Sequence, residues 1–156
     1  MRNLNIIILC ALATSLVMTA CKKNEDKDCL ELDTTASFVV DGTAFTVTHT
    51  PVWTSSGIYQ SLGFRHDLAG GGQHIVTVIF EGDTIGTYPL KGQLDPHRAM
   101  YMGPNSNNNP LFTGPGETGT VTITDMDLSN GCLTGTYSFT ANFVQVTGEF
   151  QSLRPQ

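Results

Sequence analysis

Apolar positions along this chain form one long run and then many short ones. The long run, Ile6 to Met18, is softened only by Thr14 and Ser15. A helix needs about 20 apolar residues to span a bilayer, so this run is too short to cross one. No later segment comes close. Residues 22 to 28, Lys-Lys-Asn-Glu-Asp-Lys-Asp, are wholly polar. After them helical periodicity is absent. Short runs rich in Val, Ile, Phe and Thr recur between Gly, Pro, Asn and Asp, the pattern of a sandwich or barrel.

Phe38-Val39-Val40, Asp41-Gly42 and Thr43 to Thr48 predict a hairpin, because Asp-Gly supplies the positive φ angles of a two-residue turn. Phe38 and Val40 share one face, as do Phe45 and Val47. Residues 58 to 66 read as the next strand, with Ile58, Leu62 and Phe64 on one side. Residues 73 to 80 are the most apolar strand and predict a central position covered on both faces. Gly86 to Leu90 follows, where Pro89 argues for an edge or a strand end. Ala99 to Met102 is a weaker strand. Residues 103 to 117, rich in Gly, Pro and Asn, read as a long loop. The chain closes with strands over Gly119 to Met126, Leu133 to Phe143 and Val144 to Leu153. Tyr137, Phe139 and Ala141 alternate with Thr136, Ser138 and Thr140, so one wall is packed and the other wet. The expectation is an all-β fold, an antiparallel sandwich or flattened barrel of about eight strands, as one domain over residues 34–153.

The residues before that domain read as an address. Arg2 is a positive n-region, Ile6 to Met18 an h-region, and Thr19 and Ala20 are small residues before a cut. An ordinary secretory signal shares these features. Cys21 directly after them favours a lipoprotein, with residues 1–20 removed and Cys21 acylated, palmitate among the expected chains. Met18 stands where lipoprotein signals most often carry Leu. Two or three acyl chains hold a protein firmly where one holds it marginally. Residues 21–33 then form the lipidated cysteine and a polar tether.

Cleavage sharpens the charge. Losing Arg2 leaves 7 Lys and Arg against 14 Asp and Glu, a net charge of −7. With no basic stripe, the chain is a poor binder of nucleic acid. Two cysteines remain, Cys29 and Cys132. In an oxidising compartment an even count favours a disulfide, the alternative being two separate buried thiols. That bridge would close a loop worth at most about 4.7 kcal/mol in the chain-entropy model.

Cys21-Lys22-Lys23 followed by acidic residues resembles the start of many Bacteroidota-type lipoproteins. Gly119-Thr-Val-Thr-Ile-Thr-Asp-Met-Asp127, Leu133-Thr-Gly-Thr-Tyr-Ser-Phe-Thr-Ala141 and Val146-Thr-Gly-Glu-Phe150 look like the C-terminal half of small lipoproteins of that group. Phe38-Val-Val-Asp-Gly-Thr-Ala-Phe45 and Gly86-Thr-Tyr-Pro-Leu90 fit the same pattern. These proteins carry a domain of unknown function. The resemblance implies a β-domain held at the outer membrane, with the acidic stretch as a surface-export signal, and it assigns no catalytic or binding residue.

The search for chemistry finds little. His49, His66, His74 and His97 lack metal-ligand spacing and read as scattered surface residues. Asp125, Asp127 and Ser129 alternate like a calcium loop, but Gly131 falls one place late and Thr136 replaces the bidentate Glu, so the segment reads as a turn. There is no nucleophile elbow, no phosphate loop and no spare thiol. No metal, cofactor or catalytic residue is assigned, and the expectation is that the protein is not an enzyme. Trp53, Tyr59, Tyr88 and Tyr101 lie near predicted loops or strand ends. They either stack on a sugar or apolar ligand, or cap the core. The leading expectation is an anchored β-domain that binds an envelope protein or a glycan. A calycin-like carrier of a small apolar ligand is the alternative, and a hydrolase built from dispersed residues the third.

Overall fold

The computed structural model describes residues 32–106, 109–114 and 118–156. They form eleven strands and no helix: β1 (Thr35–Val40), β2 (Thr43–Thr46), β3 (Val52–Ser56), β4 (Tyr59–Asp67), β5 (Gln73–Glu81), β6 (Gly86–Leu90), β7 (Arg98–Met102), β8 (Leu111–Phe112), β9 (Gly119–Asp127), β10 (Cys132–Ala141) and β11 (Val144–Leu153). A six-stranded sheet runs β2-β1-β11-β10-β9-β6, and a five-stranded sheet runs β3-β4-β5-β7-β8. All the strand pairs are antiparallel.

The count exceeds the estimate of about eight, and the two strands that the pattern did not announce, β3 and β8, were missed for local reasons. β3 carries only two apolar residues, and β8, two residues long, sits in the Gly/Pro/Asn-rich stretch read as loop. Neither has enough pattern to announce itself. Both are edge strands that exist because β4 and β7 offer them partners. Pro89 lies on β6, an edge as expected, where a missing N–H costs no ladder bond.

The two sheets cross. His74, near the start of β5, packs its ring 4.2 Å from Phe45 on β2. Phe80, six residues along β5, packs 4.9 Å from Tyr88 on β6. β2 and β6 are opposite edges of the six-stranded sheet. β5 therefore runs from edge to edge across it, and the packing is close to orthogonal. Rings fill the space between: Phe64 lies 5.2 Å from Tyr137 and 5.8 Å from Phe150. Alternate residues of β1, β10 and β11 meet alternate residues of β4, β5 and β7 in one core, with Leu62, Val76, Val78, Val121 and Phe139 at most 1% exposed. Gly148 is required here, since a Cβ on it would sit 2.3 Å from the Tyr137 ring.

The register also gives the domain two ends. Thr35 pairs with Gln151 and Leu133 with Leu153, so the start of β1, the start of β10 and the end of β11 share one end. Val40 pairs with Val146, which puts the β1–β2 and β10–β11 turns at the other. Seven residues of β11 separate the ends, about 24 Å at strand rise.

Candidate functional site

Two hairpin turns at the far end have the same two-residue geometry and different chemistry. In the β1–β2 turn Asp41 has φ 46° and Gly42 φ 83°. In the β10–β11 turn Asn142 has φ 48° and Phe143 φ 69°, between the paired Ala141 and Val144. Such turns need positive φ at both places and favour Asn-Gly or Asp-Gly. The first turn follows that rule. The second puts a phenylalanine where a Cβ is strained by about 1–3 kcal/mol, and the ring is 90% exposed. The turn therefore carries backbone strain at a residue whose ring faces solvent.

Beside this turn a groove of about 780 Å³ opens between the β6–β7 connection and β8, lined by Leu94, Pro96, Pro110, Leu111, Phe112 and Asn142 among others. Leu94 is 96% exposed. The walls are held from behind. Thr113, fully buried, donates its hydroxyl to the Lys91 carbonyl, and the Thr113 amide reaches the Ala99 carbonyl at 3.1 Å. Asp95 caps the His97 amide at 2.9 Å. The result is a supported apolar cleft that includes the exposed Leu94 and lies next to the Asn142–Phe143 turn, on the end opposite Thr35.

The four aromatic candidates do not form a platform. Trp53 is 1% exposed, and its Nε1 donates to Gln60 Oε1 at 2.9 Å inside the core. Tyr101, 6% exposed, shares a hydrogen bond with His74 Nδ1 at 2.7 Å, and burial first, the Asp41 charge second, push its phenol up. Tyr88 is half-buried on Phe80 and donates to the Thr84 carbonyl at 2.6 Å. Tyr59 alone is open, 49% exposed at the β3–β4 turn. Trp53 and Tyr101 are thus core residues, because their strands turn that face inward. Cys21 and Cys29 lie outside the described residues. Cys132 is fully buried and disulfide-bonded.

The histidines are less scattered than their spacing suggests. His66 and His74 are register partners on β4 and β5, with rings 6.4 Å apart. His66 Nδ1 donates to the Thr46 carbonyl at 2.6 Å, which fixes its tautomer since a carbonyl only accepts. His74 is 8% exposed, and burial first, then the His66 charge, lower its pKa. His49 Nε2 lies 2.6 Å from Asp67 Oδ2, while Arg65 Nε holds Oδ1 at 2.7 Å. Those two hydrogen bonds hold the Asp67 carboxyl low, Arg65 contributing more. A catalytic His–Asp pair presents its other ring nitrogen to a nucleophile. Asp67 instead ties the β2–β3 connection to β4.

Asp127 accepts from both the amide and side chain of Ser129 and of Asn130, at 2.6–3.0 Å, which holds its carboxyl at about 2. Its oxygens are spent on its own turn. Among the described residues no three His, Cys, Asp or Glu side chains gather as a metal site.

Phe143 and Leu94 escaped the sequence reading because they follow no motif. The one available signal was Asn142 followed by Phe rather than Gly between two strands. The chain matches no family model, no curated protein and no solved structure.

Proposed function

We propose that this protein is a lipid-anchored binding module of the cell envelope that docks an envelope protein through its far end. The observation that carries the reading is Phe143, strained and exposed beside an apolar groove. Strain of this kind persists where function retains it. The occupant is a protein segment with apolar side chains. Leu94 lines the groove, Phe143 follows its lining residue Asn142, and no cluster of cations is there for an anionic ligand. Thr35 starts at the opposite end of the domain. The Cys21 signal and the likeness to Bacteroidota-type lipoproteins support anchorage in the outer membrane, with the groove pointing away from it.

The test separates fold from function. Phe143→Gly relieves the turn and should raise stability by about 1 kcal/mol, while a photocrosslinker at position 143 in intact cells yields one discrete adduct that a crosslinker at Thr120, on another face, does not. Loss of stability in Phe143→Gly, or the same adducts from both positions, would sink the reading. The carrier alternative loses support because the space between the sheets is filled by core rings. The sugar-stacking version loses support because the four aromatic residues share no groove.

A further inference from the structure

The outward faces of the two sheets differ, although both belong to one small domain. On the six-stranded sheet one register row reads Thr46, Ser37, Glu149, Thr136, Thr122 and Thr87, an unbroken polar line across all six strands. The same row on the five-stranded sheet reads Val52, Gly63, Thr77, Met100 and Phe112. The flanking rows add Ile75 with Met102, and Ile79. On β5 the outward residues are Gln73, Ile75, Thr77, Ile79 and Glu81, two of them large and apolar. Its inward residues His74, Val76, Val78 and Phe80 are buried, while Ile75 and Ile79 remain half-exposed on the outer side. An apolar face bordered by polar residues marks an interaction surface.

We infer that this face docks a second copy of the same chain in a two-fold dimer. Its charges carry the choice of occupant. One end of the face bears Arg65 and Asp67, on β4, and the other bears Glu81 and Arg98, on β5 and β7. Each end holds one cation and one anion, so the face is neutral in a chain of net charge −6. A two-fold interface must be complementary to itself. The strands of this sheet lie across the axis that joins the two ends of the domain. A two-fold along that axis reverses the facing strands and sets the Arg65–Asp67 end of one copy against the Glu81–Arg98 end of the other. It also keeps both tethers on one side, as two anchors in one membrane require. The inference does not rest on what the far groove binds.

Size sets the expected strength. Four strand spacings make the face about 19 Å across, and β4 and β5 run about 30 Å. That is the lower end of stable interfaces, which bury about 800 Å² a side. Confinement to one membrane raises the effective concentration and favours a modest interface.

Thr77 sits at the middle of the middle strand, close to the two-fold axis. Packed sheets lie about 10 Å apart, so a short bismaleimide should link Thr77→Cys to itself in membranes. Thr120→Cys, exposed on the opposite sheet, should not link. Sedimentation of the full protein in detergent should show a monomer–dimer equilibrium. Ile75→Gln with Ile79→Gln should weaken it at least tenfold while melting remains cooperative, and Thr120→Gln with Thr122→Gln should leave it unchanged. A monomer at every concentration with no Thr77→Cys product would overturn the inference. A dimer that Thr77→Cys fails to link would do the same. If the double Gln variant does not fold, the crosslinking pair alone decides.

Discussion

Tyr137 carries its hydroxyl into a place where nothing meets it. The residue is 3% exposed, its oxygen has no hydrogen-bond partner among the described residues, and burial pushes its phenol up. An unmade buried hydrogen bond costs about 1–3 kcal/mol. The ring itself is needed, since it stacks on Phe64 and lies over Gly148. Tyr137→Phe should therefore raise stability by about 1 kcal/mol, read as a higher denaturation midpoint at unchanged slope. A lower midpoint would mean that the hydroxyl has a partner in solution. Phe143 is the opposite case, because its misfit lies at the surface, where the proposed partner would meet it. Trp53 needs neither explanation, since its indole N–H and its ring are both satisfied inside.

β2 shows how an edge strand is held. It is four residues long and pairs only with β1. Two histidines of the crossing sheet fasten it: His66 bonds the Thr46 carbonyl, and His74 stacks on Phe45. The titratable groups that meet His74 are His66 from β4 and Tyr101 from β7, and Tyr101 in turn feels the Asp41 charge of the β1–β2 turn. Burial lowers the His74 pKa below its usual 6.5. The unfolded chain then takes up a proton as pH falls through about 6.5 while the folded chain resists it. Stability must drop on acidification from about pH 7 towards 5. Melting across that range should show the loss, and His74→Phe should flatten it. An equal slope in both proteins would remove His74 as the cause. This corner was not legible from spacing, because His66 and His74 meet only when β4 pairs with β5 in the observed register.

At the scale of the molecule, crossing sheets give two distinct ends, a groove at one of them, and two unlike faces. The end where β1 begins contains Cys132, disulfide-bonded, beside Ser152, itself at φ 56°. Its expected partner is Cys29, eight residues past Cys21, the proposed lipidation site. Mapping peptides without reduction should recover Cys29 joined to Cys132. Reduction should cost stability up to about 4.7 kcal/mol. Two free thiols in the isolated protein would refute the pairing. The bridge would hold the base close to the bilayer and leave the groove about 24 Å of strand further out.

Alternation of apolar and hydroxyl residues determined that the chain is all-β, that Phe38 and Val40 of β1 share a face, that Tyr137, Phe139 and Ala141 of β10 share a face, and where Asp41-Gly42 turns. These are local properties, set by a period of two and by backbone sterics. Pro89 likewise marked its own edge. Strand order, the crossing of the sheets and the meeting of distant residues lie beyond any local signal, because they depend on which strand pairs with which. The fold therefore decided that Trp53 and Tyr101 are core, that His66 meets His74, and that Phe143 stands beside a groove built from β8. It also resolved the reading of β5. The strand is central as expected but not covered on both faces: a two-layer fold has only one interior, so His74, Val76, Val78 and Phe80 are buried while Ile75 and Ile79 stay half-exposed on the outer side.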